Sequence, residues 1–361
     1  MEKQRVSEIL EHFPVEEFQE KLLKWFERDQ RDLPWRKDRD PYKIWVSEIM
    51  LQQTRVDTVI PYYLRFLNRF PTLNDLAEAS QDEVLKEWEG LGYYSRVRHL
   101  HEAVKEVKER YGGQVPDSEE EIRKLKGIGS YTAGAILSIA YGKPVPAVDG
   151  NVMRVLSRIL YIKDDVQTMK TKKLFEDLAR KIISPSNPSF FNQAMMELGA
   201  LICTPKSPSC LSCPVVSLCR GREKGEHGRL PIKGKKKPPV PVTLICGVIV
   251  KGEEVLIDKR ENDGLLKGLW EFPQIECNEP ANEIFQFTKY IWKTFGVKAR
   301  PEKYLMTVTH TFSHVKWHIE VYQYVCEELD KREGRGKWVS IHQLNQYPFS
   351  VSHGKICKKL Q

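Results

Sequence analysis

Glu48 stands within Ile44-Trp45-Val46-Ser47-Glu48-Ile49-Met50-Leu51, and on a helix its neighbours at i−4, i−3 and i+3 are Ile44, Trp45 and Leu51. Such surroundings strip water from a carboxyl and raise its pKa, which makes a proton donor at neutral pH. Asp149, in Pro146-Ala147-Val148-Asp149-Gly150-Asn151, precedes the apolar-periodic run Val152, Val155, Leu156, Ile159, so a helix start keeps it ionised. An acid that protonates a leaving group and an anion that stabilises a developing cation are the two parts glycosidic bond cleavage needs. Taken singly, Glu48 reads as a solvated helix-face residue and Asp149 as a plain N-cap. Their weight comes from what accompanies them.

Leu125-Lys126-Gly127-Ile128-Gly129-Ser130-Tyr131-Thr132-Ala133-Gly134-Ala135 lies just upstream of Asp149. A Gly127-x-Gly129 turn between two helix-compatible segments exposes backbone N–H groups at a helix N-terminus, where they hold a phosphate without reading a base. By itself the turn serves any anionic ligand. Four of the eight cysteines fall in the run Cys203-x6-Cys210-x2-Cys213-x5-Cys219. Thiolates so close in sequence converge on one metal centre, and four of them suit zinc or an iron–sulfur cluster alike. Cys246, Cys277, Cys326 and Cys357 are scattered and read as small core or surface residues.

Helices must carry these groups. Val15, Phe18, Leu22, Trp25 and Phe26 share one helical face over residues 15–28, and similar spacing recurs to about residue 200. Residues 1–220 are therefore expected as a helical domain, with two helices joined by a Gly-x-Gly hairpin near 121–140 and the cysteine loop at 203–219. Residues 221–241, rich in Lys, Gly and Pro, are expected as a linker without packing of its own. Beyond it the period changes. Val242–Val250 and Glu254–Lys259 flank Lys251-Gly252-Glu253 as a hairpin, Val315, Trp317, Ile319 and Val321 alternate with polar residues, and Ile284, Phe287, Ile291 and Phe295 mark one helix ending at Gly296. Residues 242–361 are thus expected as a second, α+β domain.

The net charge of +8 comes mostly from the linker: residues 1–219 hold 32 Lys+Arg against 32 Asp+Glu, and residues 220–241 hold 8 against 2. Basicity therefore does not make the first domain a DNA binder, and that reading rests on the Gly127–Gly129 geometry. No run of eighteen apolar residues occurs, and Met1-Glu2-Lys3-Gln4-Arg5 leads into no apolar signal segment. A soluble cytoplasmic protein with no membrane partner, acting as a monomer, is expected.

In this arrangement the chain resembles the helix-hairpin-helix DNA glycosylase superfamily and, within it, the adenine DNA glycosylase family that removes adenine mispaired with 8-oxoguanine. The matching segments are Leu33-Pro34-Trp35-Arg36, Trp45 to Thr54, Gly90-Leu91-Gly92-Tyr93-Tyr94-Ser95-Arg96, Val148-Asp149-Gly150-Asn151-Val152 and the four cysteines. The resemblance implies a multidomain protein, with an all-α helix-hairpin-helix glycosylase domain carrying a [4Fe–4S] cluster on Cys203, Cys210, Cys213 and Cys219. It implies that Glu48 protonates adenine N7 and is the candidate to activate water afterwards. Asp149 stabilises or transiently bonds the sugar cation, and Tyr131 and Asn151 support that centre. Bifunctional superfamily members carry a lysine two residues after the second hairpin glycine, where this chain has Tyr131. A phenol cannot form a Schiff base, so base removal without lyase chemistry follows.

By the same resemblance Arg31, Trp35 and Gln193 form the adenine pocket, and Gln53 and Tyr93 fill the gap left by the flipped base, with Thr54 and Leu91 beside them toward 8-oxoguanine. Arg96 and Arg98 are phosphate-contact candidates only because the hairpin fixes where DNA must run. The second domain resembles a Nudix fold through Gly264-Leu265-Leu266-Lys267-Gly268-Leu269-Trp270-Glu271-Phe272-Pro273. Its helix reads Phe287-Thr288-Lys289-Tyr290-Ile291-Trp292-Lys293-Thr294-Phe295-Gly296, without the carboxylates that hold Mg²⁺ in a Nudix hydrolase. That implies recognition, with Phe312-Ser313-His314 as the probe of 8-oxoguanine. The expected partner is duplex DNA containing A:8-oxoguanine or A:G mispairs. Three rivals stand beside this reading: a bifunctional pyrimidine-lesion glycosylase, a nucleotide pyrophosphohydrolase, and a DNA-binding protein with structural zinc.

Overall fold

The computed structural model describes residues 2–234, 238–261, 264–277, 283–330 and 335–361, so Lys235, Lys236 and Lys237 of the expected linker lie outside the described residues. The chain forms two compact units, one of Met1–Ala77 with Glu102–Lys235 and one of Glu78–His101 with Lys236–Gln361.

The first unit is helical. Its elements are α1 (Glu2–Leu10), α2 (Val15–Asp29), α3 (Pro41–Leu51), α4 (Val56–Arg69) and α5 (Leu73–Glu78). α6 (Gln81–Glu87) and the start of α7 (Ser95–Arg110) belong to the second unit; the first continues with the rest of α7 and with α8 (Glu119–Ile122), α9 (Ser130–Ile139), α10 (Gly150–Ile159), α11 (Met169–Ile182), α12 (Pro188–Leu201) and α13 (Arg220–Glu223). The starts of the helices that carry the site are written in local chemistry. Asp40, Asp149, Thr168 and Asn187 each accept backbone N–H bonds as N-caps of α3, α10, α11 and α12, and Pro41 and Pro188 open their helices where no N–H is needed. The α2 stripe Phe18, Leu22 and Phe26 is fully buried with Val155, Leu156, Phe175, Leu178 and Leu198.

Two glycines let backbones touch. A Cβ on Gly134 of α9 would fall 2.0 Å from the Pro146 carbonyl oxygen, and one on Gly199 of α12 would fall 2.6 Å from Cβ of Asn151. These contacts fix the segment 146–151 between α9 and α12.

The stretch after the cysteines departs from the expected unpacked linker. It holds α13 and a 3₁₀ turn at His227–Arg229; Leu230 is buried and its carbonyl accepts from Arg158 Nε at 2.9 Å, and Gly221 lies against the Arg158 backbone. A buried arginine and a close glycine hold it, and neither leaves a mark in hydrophobic periodicity.

The second unit contains β1 (Val240–Lys251), β2 (Glu254–Lys259), β3 (Trp270–Glu271), β4 (Gln274–Glu276), α14 (Glu283–Phe295), β5 (Val297–Thr311), β6 (Val315–Leu329), β7 (Lys337–Ser340) and α15 (Val351–Leu360). The sheet runs β3-β2-β1-β6-β5, with β4 paired to β1 and β7 to β2. It is mixed: β1 and β6 are parallel from Val240↔Val315 to Val250↔Val325, while the β1–β2 and β5–β6 hairpins are antiparallel. One face packs Val248, Val255, Ile319 and Val321 with Ile356 of α15; the other packs Ile245 and Ile249 with Phe287, Ile291 and Phe295 of α14. The expected hairpin at Lys251-Gly252-Glu253 and the helix ending at Gly296, whose φ is +65°, are both present.

Candidate active site

Capping by Asp40 starts α3 so that Ile44, Trp45 and Ile49 face the core and Glu48 goes with them, 4 % exposed. The Tyr131 hydroxyl donates to Glu48 Oε2 at 2.5 Å and sits 3.3 Å from Met196 Sδ. Burial pushes the Glu48 carboxyl up to about 7. The Tyr131 bond and the Arg36 charge oppose the rise, and the Asp149 charge adds to it.

Asp149 is half-buried at the N-terminus of α10, where its Oδ1 accepts from Val152 N–H at 2.8 Å and its Oδ2 from Asn151 Nδ2 at 2.7 Å. Burial opposes its ionised form, and the bonds at the helix start favour it; its pKa is raised, and the two N–H bonds only moderate the rise. Behind it a buried arginine continues the network. Arg154 Nη2 donates to Asn151 Oδ1 at 2.8 Å and to the Gly199 carbonyl at 2.7 Å, and its Nε donates to the Cys203 carbonyl at 2.7 Å.

Glu48, Tyr131, Asp149 and Asn151 line one cavity of about 160 Å³ together with Arg31, Trp35 and Gln193. Thr54, expected beside Leu91, lines this cavity too. Two further groups in its wall carry structure that the sequence reading did not assign. Glu197, four residues after Gln193 on α12, is 2 % exposed and takes Arg31 Nε and Nη2 at 2.8 and 2.6 Å. Arg36 reaches the same carboxylate at 3.1 Å and donates from Nε to Gln193 Oε1 at 3.0 Å. Burial alone would lift the Glu197 carboxyl, but the paired guanidinium bonds hold it at about 2. The i, i+4 spacing of Gln193 and Glu197 was the available signal.

The turn before α9 has Gly127 in the left-handed region at φ +79°, whereas Gly129 is an extended N-cap with φ −92°. Gly129 supplies no side-chain cap to the first N–H groups of α9, and a Cβ there would meet nothing within 4 Å. Gln53 is exposed with φ +60°, and Tyr93, 47 % exposed, has φ +48°. Left-handed backbone at a side-chain-bearing residue costs about 1–3 kcal/mol and clusters at functional sites.

Cys203, Cys210, Cys213 and Cys219 line one cavity with Val155, Ile159, Leu198 and Ile202. Burial pushes the Cys213 thiol up to about 12 and raises Cys219, and the neighbouring sulfurs add to both shifts. Arg158 Nη1 donates to Cys203 Sγ at 3.3 Å. Arg222 Nη1 and His227 Nδ1, in residues lining the same cavity, are buried without a hydrogen-bond partner.

Residues 46–181 match the model of the HhH-GPD superfamily base excision DNA repair proteins, and residues 245–359 match the NUDIX domain. The helical part is similar to a thermostable thymine-DNA glycosylase at 31 % identity and TM-score 0.53, over 58 % of this chain and 97 % of that one. It is also similar to endonuclease III in a non-covalent DNA complex, at 25 % identity and TM-score 0.50, over 58 % and 96 %. The adenine DNA glycosylase of Buchnera aphidicola subsp. Baizongia pistaciae is 39 % identical over 95 % of this chain and 97 % of its own length. The chain belongs to the adenine DNA glycosylase family. The human and rat adenine DNA glycosylases are 38 % and 39 % identical over 96 % and 87 % of this chain, and 74 % and 71 % of their own. As a member of that family it is a DNA glycosylase, a hydrolase of N-glycosyl compounds, with a helix-hairpin-helix domain and a Nudix-like domain. No helix among the described residues is long and apolar enough to cross a membrane.

In the second unit the family's glycine-rich segment forms a tight turn. Gly90 and Gly92 have φ +96° and +75°, Trp88 Nε1 donates to the Gly92 carbonyl at 3.0 Å, and Leu91 is buried. Arg96, expected at a phosphate, is turned inward instead. It is 9 % exposed, its Nη2 donates to the Gly92 carbonyl at 3.2 Å, and its guanidinium lies over Tyr93 and Trp88. Burial brings its pKa down to about 10, and its work is to hold the turn that presents Tyr93. Arg98 donates to the Lys267 carbonyl. Phe312, Ser313 and His314 join β5 to β6, with Phe312 stacked edge-on against His310 and Trp317 and Ser313 and His314 exposed. All three line a groove of about 550 Å³ with Gly92, Tyr93 and Leu266.

Proposed function

We propose that the chain removes adenine paired with 8-oxoguanine, and with guanine, from duplex DNA, leaving an abasic site and an uncut strand. The observation that carries the reading is Glu48: a carboxyl pushed up to about 7, bonded to Tyr131 and sharing a cavity with Asp149. About 160 Å³ is smaller than a drug-sized pocket of roughly 300–1,000 Å³ and suits a single flipped base.

Protonated Glu48 gives its proton to adenine N7. The N-glycosidic bond then breaks with its electron pair leaving on the base, and Asp149 stabilises the sugar cation. Water adds to C1′ and returns a proton to the Glu48 carboxylate, so the acid is regenerated. Tyr131 orients Glu48 by its hydrogen bond, Asn151 orients Asp149, and Arg31, Trp35 and Gln193 bound the base. The α9 N-terminus at Gly127 and Gly129 takes a phosphate, and Gln53 and Tyr93 take the space of the flipped base. Thr54, Leu91 and the Phe312-Ser313-His314 loop read the opposite 8-oxoguanine. In this scheme residues 1–220 do the chemistry and residues 242–361 the recognition.

Cys203, Cys210, Cys213 and Cys219 would hold a [4Fe–4S] cluster. The fit is chemical: four cysteines line one cavity, and beside them two buried polar atoms have no hydrogen-bond partner. Bound, such a cluster ties the loop into one rigid unit; the Cys203 carbonyl is where that loop meets Arg154. Visible absorption that is lost in Cys213→Ser supports the cluster, and a colourless protein with one tightly bound zinc contradicts it.

Single-turnover base release from duplexes that differ only in the base opposite adenine tests the specificity. Fast release opposite 8-oxoguanine and slower release opposite guanine are expected. Equal rates opposite all four ordinary bases and 8-oxoguanine would refute the recognition role.

A further inference from the structure

Glu197 takes no part in the steps above, yet it is as deeply buried as any carboxylate at the cavity and binds two cations at once. We propose that Glu197 is a positioning residue that clamps Arg31 and Arg36 to the cavity wall and, by cancelling one of their two charges, keeps Glu48 able to hold its proton at neutral pH. The proposal rests on Glu48 being the acid.

The clamp has five N–H donors on one carboxylate. Arg31 contributes its backbone N–H at 3.1 Å and Nε and Nη2 at 2.8 and 2.6 Å; Arg36 contributes Nη1 at 3.3 Å and Nη2 at 3.1 Å. Arg36 is held from other sides as well, through the Arg31 carbonyl at 2.9 Å, Gln193 Oε1 at 3.0 Å and the Phe26 ring at 5.1 Å. With the carboxylate removed, the Arg31 and Arg36 guanidiniums, 32 % and 14 % exposed, would stand side by side without this counter-charge. Uncompensated buried charge is strongly unfavourable, and its field reaches neighbouring groups with little screening.

The groups that meet Glu48 define the direction. Arg36 on the 3₁₀ turn 34–36 disfavours its protonation, Asp149 ahead of α10 favours it, and Tyr131 on α9 bonds its ionised form. Asp57 on α4, which also packs on α3, acts on Arg31. Glu197 therefore reaches Glu48 through Arg36. It stays ionised across any working pH, because the clamp holds it at about 2, so a change in the pH profile cannot come from its own titration.

Single-turnover adenine release is followed from about pH 5 to about pH 9 for wild type, Glu197→Gln, Arg31→Gln and the double variant. Glu197→Gln leaves two positive charges, and the fall in rate above neutral pH moves down by about 1 pH unit, so its defect is about tenfold larger at the alkaline end than at the acid end. Arg31→Gln removes one positive charge and moves the fall upward. The double variant carries the wild-type charge and returns the fall to its wild-type position, whatever its absolute rate. A loss of rate that is uniform with pH, the fall staying in place in all three variants, would overturn the clamp alone. A fall that moves in Glu197→Gln but does not return in the double variant would also overturn it. A wild-type rate that never falls above neutral pH would overturn the Glu48 reading, and the clamp with it.

Discussion

Replacing Glu48 by glutamine should stabilise the helical unit, by an amount that grows with pH. The carboxyl moves from its ordinary 4.5 to about 7 on folding because it is almost wholly buried. The folded protein thus binds this proton more tightly than the unfolded chain, and stability falls as pH rises from about 4.5 to about 7, then levels off. Integrated, the ionised form costs about 3 kcal/mol at about pH 8 and under about 1 kcal/mol at about pH 5. Glutamine has the same size and still accepts from the Tyr131 hydroxyl, so differences that do not depend on pH drop out when two pH values are compared. The gap between variant and wild type should widen by about 2.5 kcal/mol between those pH values. Urea unfolding of both proteins, followed through the helical signal at each pH, measures it. A gap that is the same at both values would mean that Glu48 titrates like a solvated carboxyl, and the acid assignment would lose its physical basis.

Two further substitutions probe the scaffold and the recognition loop. Gly199→Ala forces a Cβ to within 2.6 Å of Cβ of Asn151; it should cost about 1–3 kcal/mol of stability and slow base release by moving Asn151 off Asp149, and a wild-type rate would contradict that link. Ser313→Ala with His314→Ala changes only exposed side chains, so stability should hold while the preference for 8-oxoguanine over guanine drops; equal losses on both substrates would refute the loop's role.

Local chemistry made the helix starts and the buried α2 stripe readable in the sequence. The same is true of Glu48, whose burial follows from Ile44 and Trp45 one turn before it, and of Asp149, whose N-cap position is a spacing to the run after it. Each depends on residues near in sequence. The Glu197 clamp joins Arg31 and Arg36 to a helix more than 150 residues later, and no periodicity encodes such a meeting. Arg154 likewise joins Asn151 to the Cys203 carbonyl, 49 residues further on. Arg96 fits a phosphate contact by type, but the Gly90–Gly92 turn offers it carbonyls and two aromatic faces and draws it inward. Residues 221–234 look unpacked because they are poor in apolar side chains; what secures them is the Arg158 guanidinium and the approach that Gly221 permits.

The central claim is that Glu48 supplies the proton that releases the base. Its most direct test is single-turnover adenine release from an A:8-oxoguanine duplex by wild type and Glu48→Gln, with binding to the same duplex measured alongside. Near-complete loss of release with binding retained is the expected result. Release at the wild-type rate by Glu48→Gln would contradict the account.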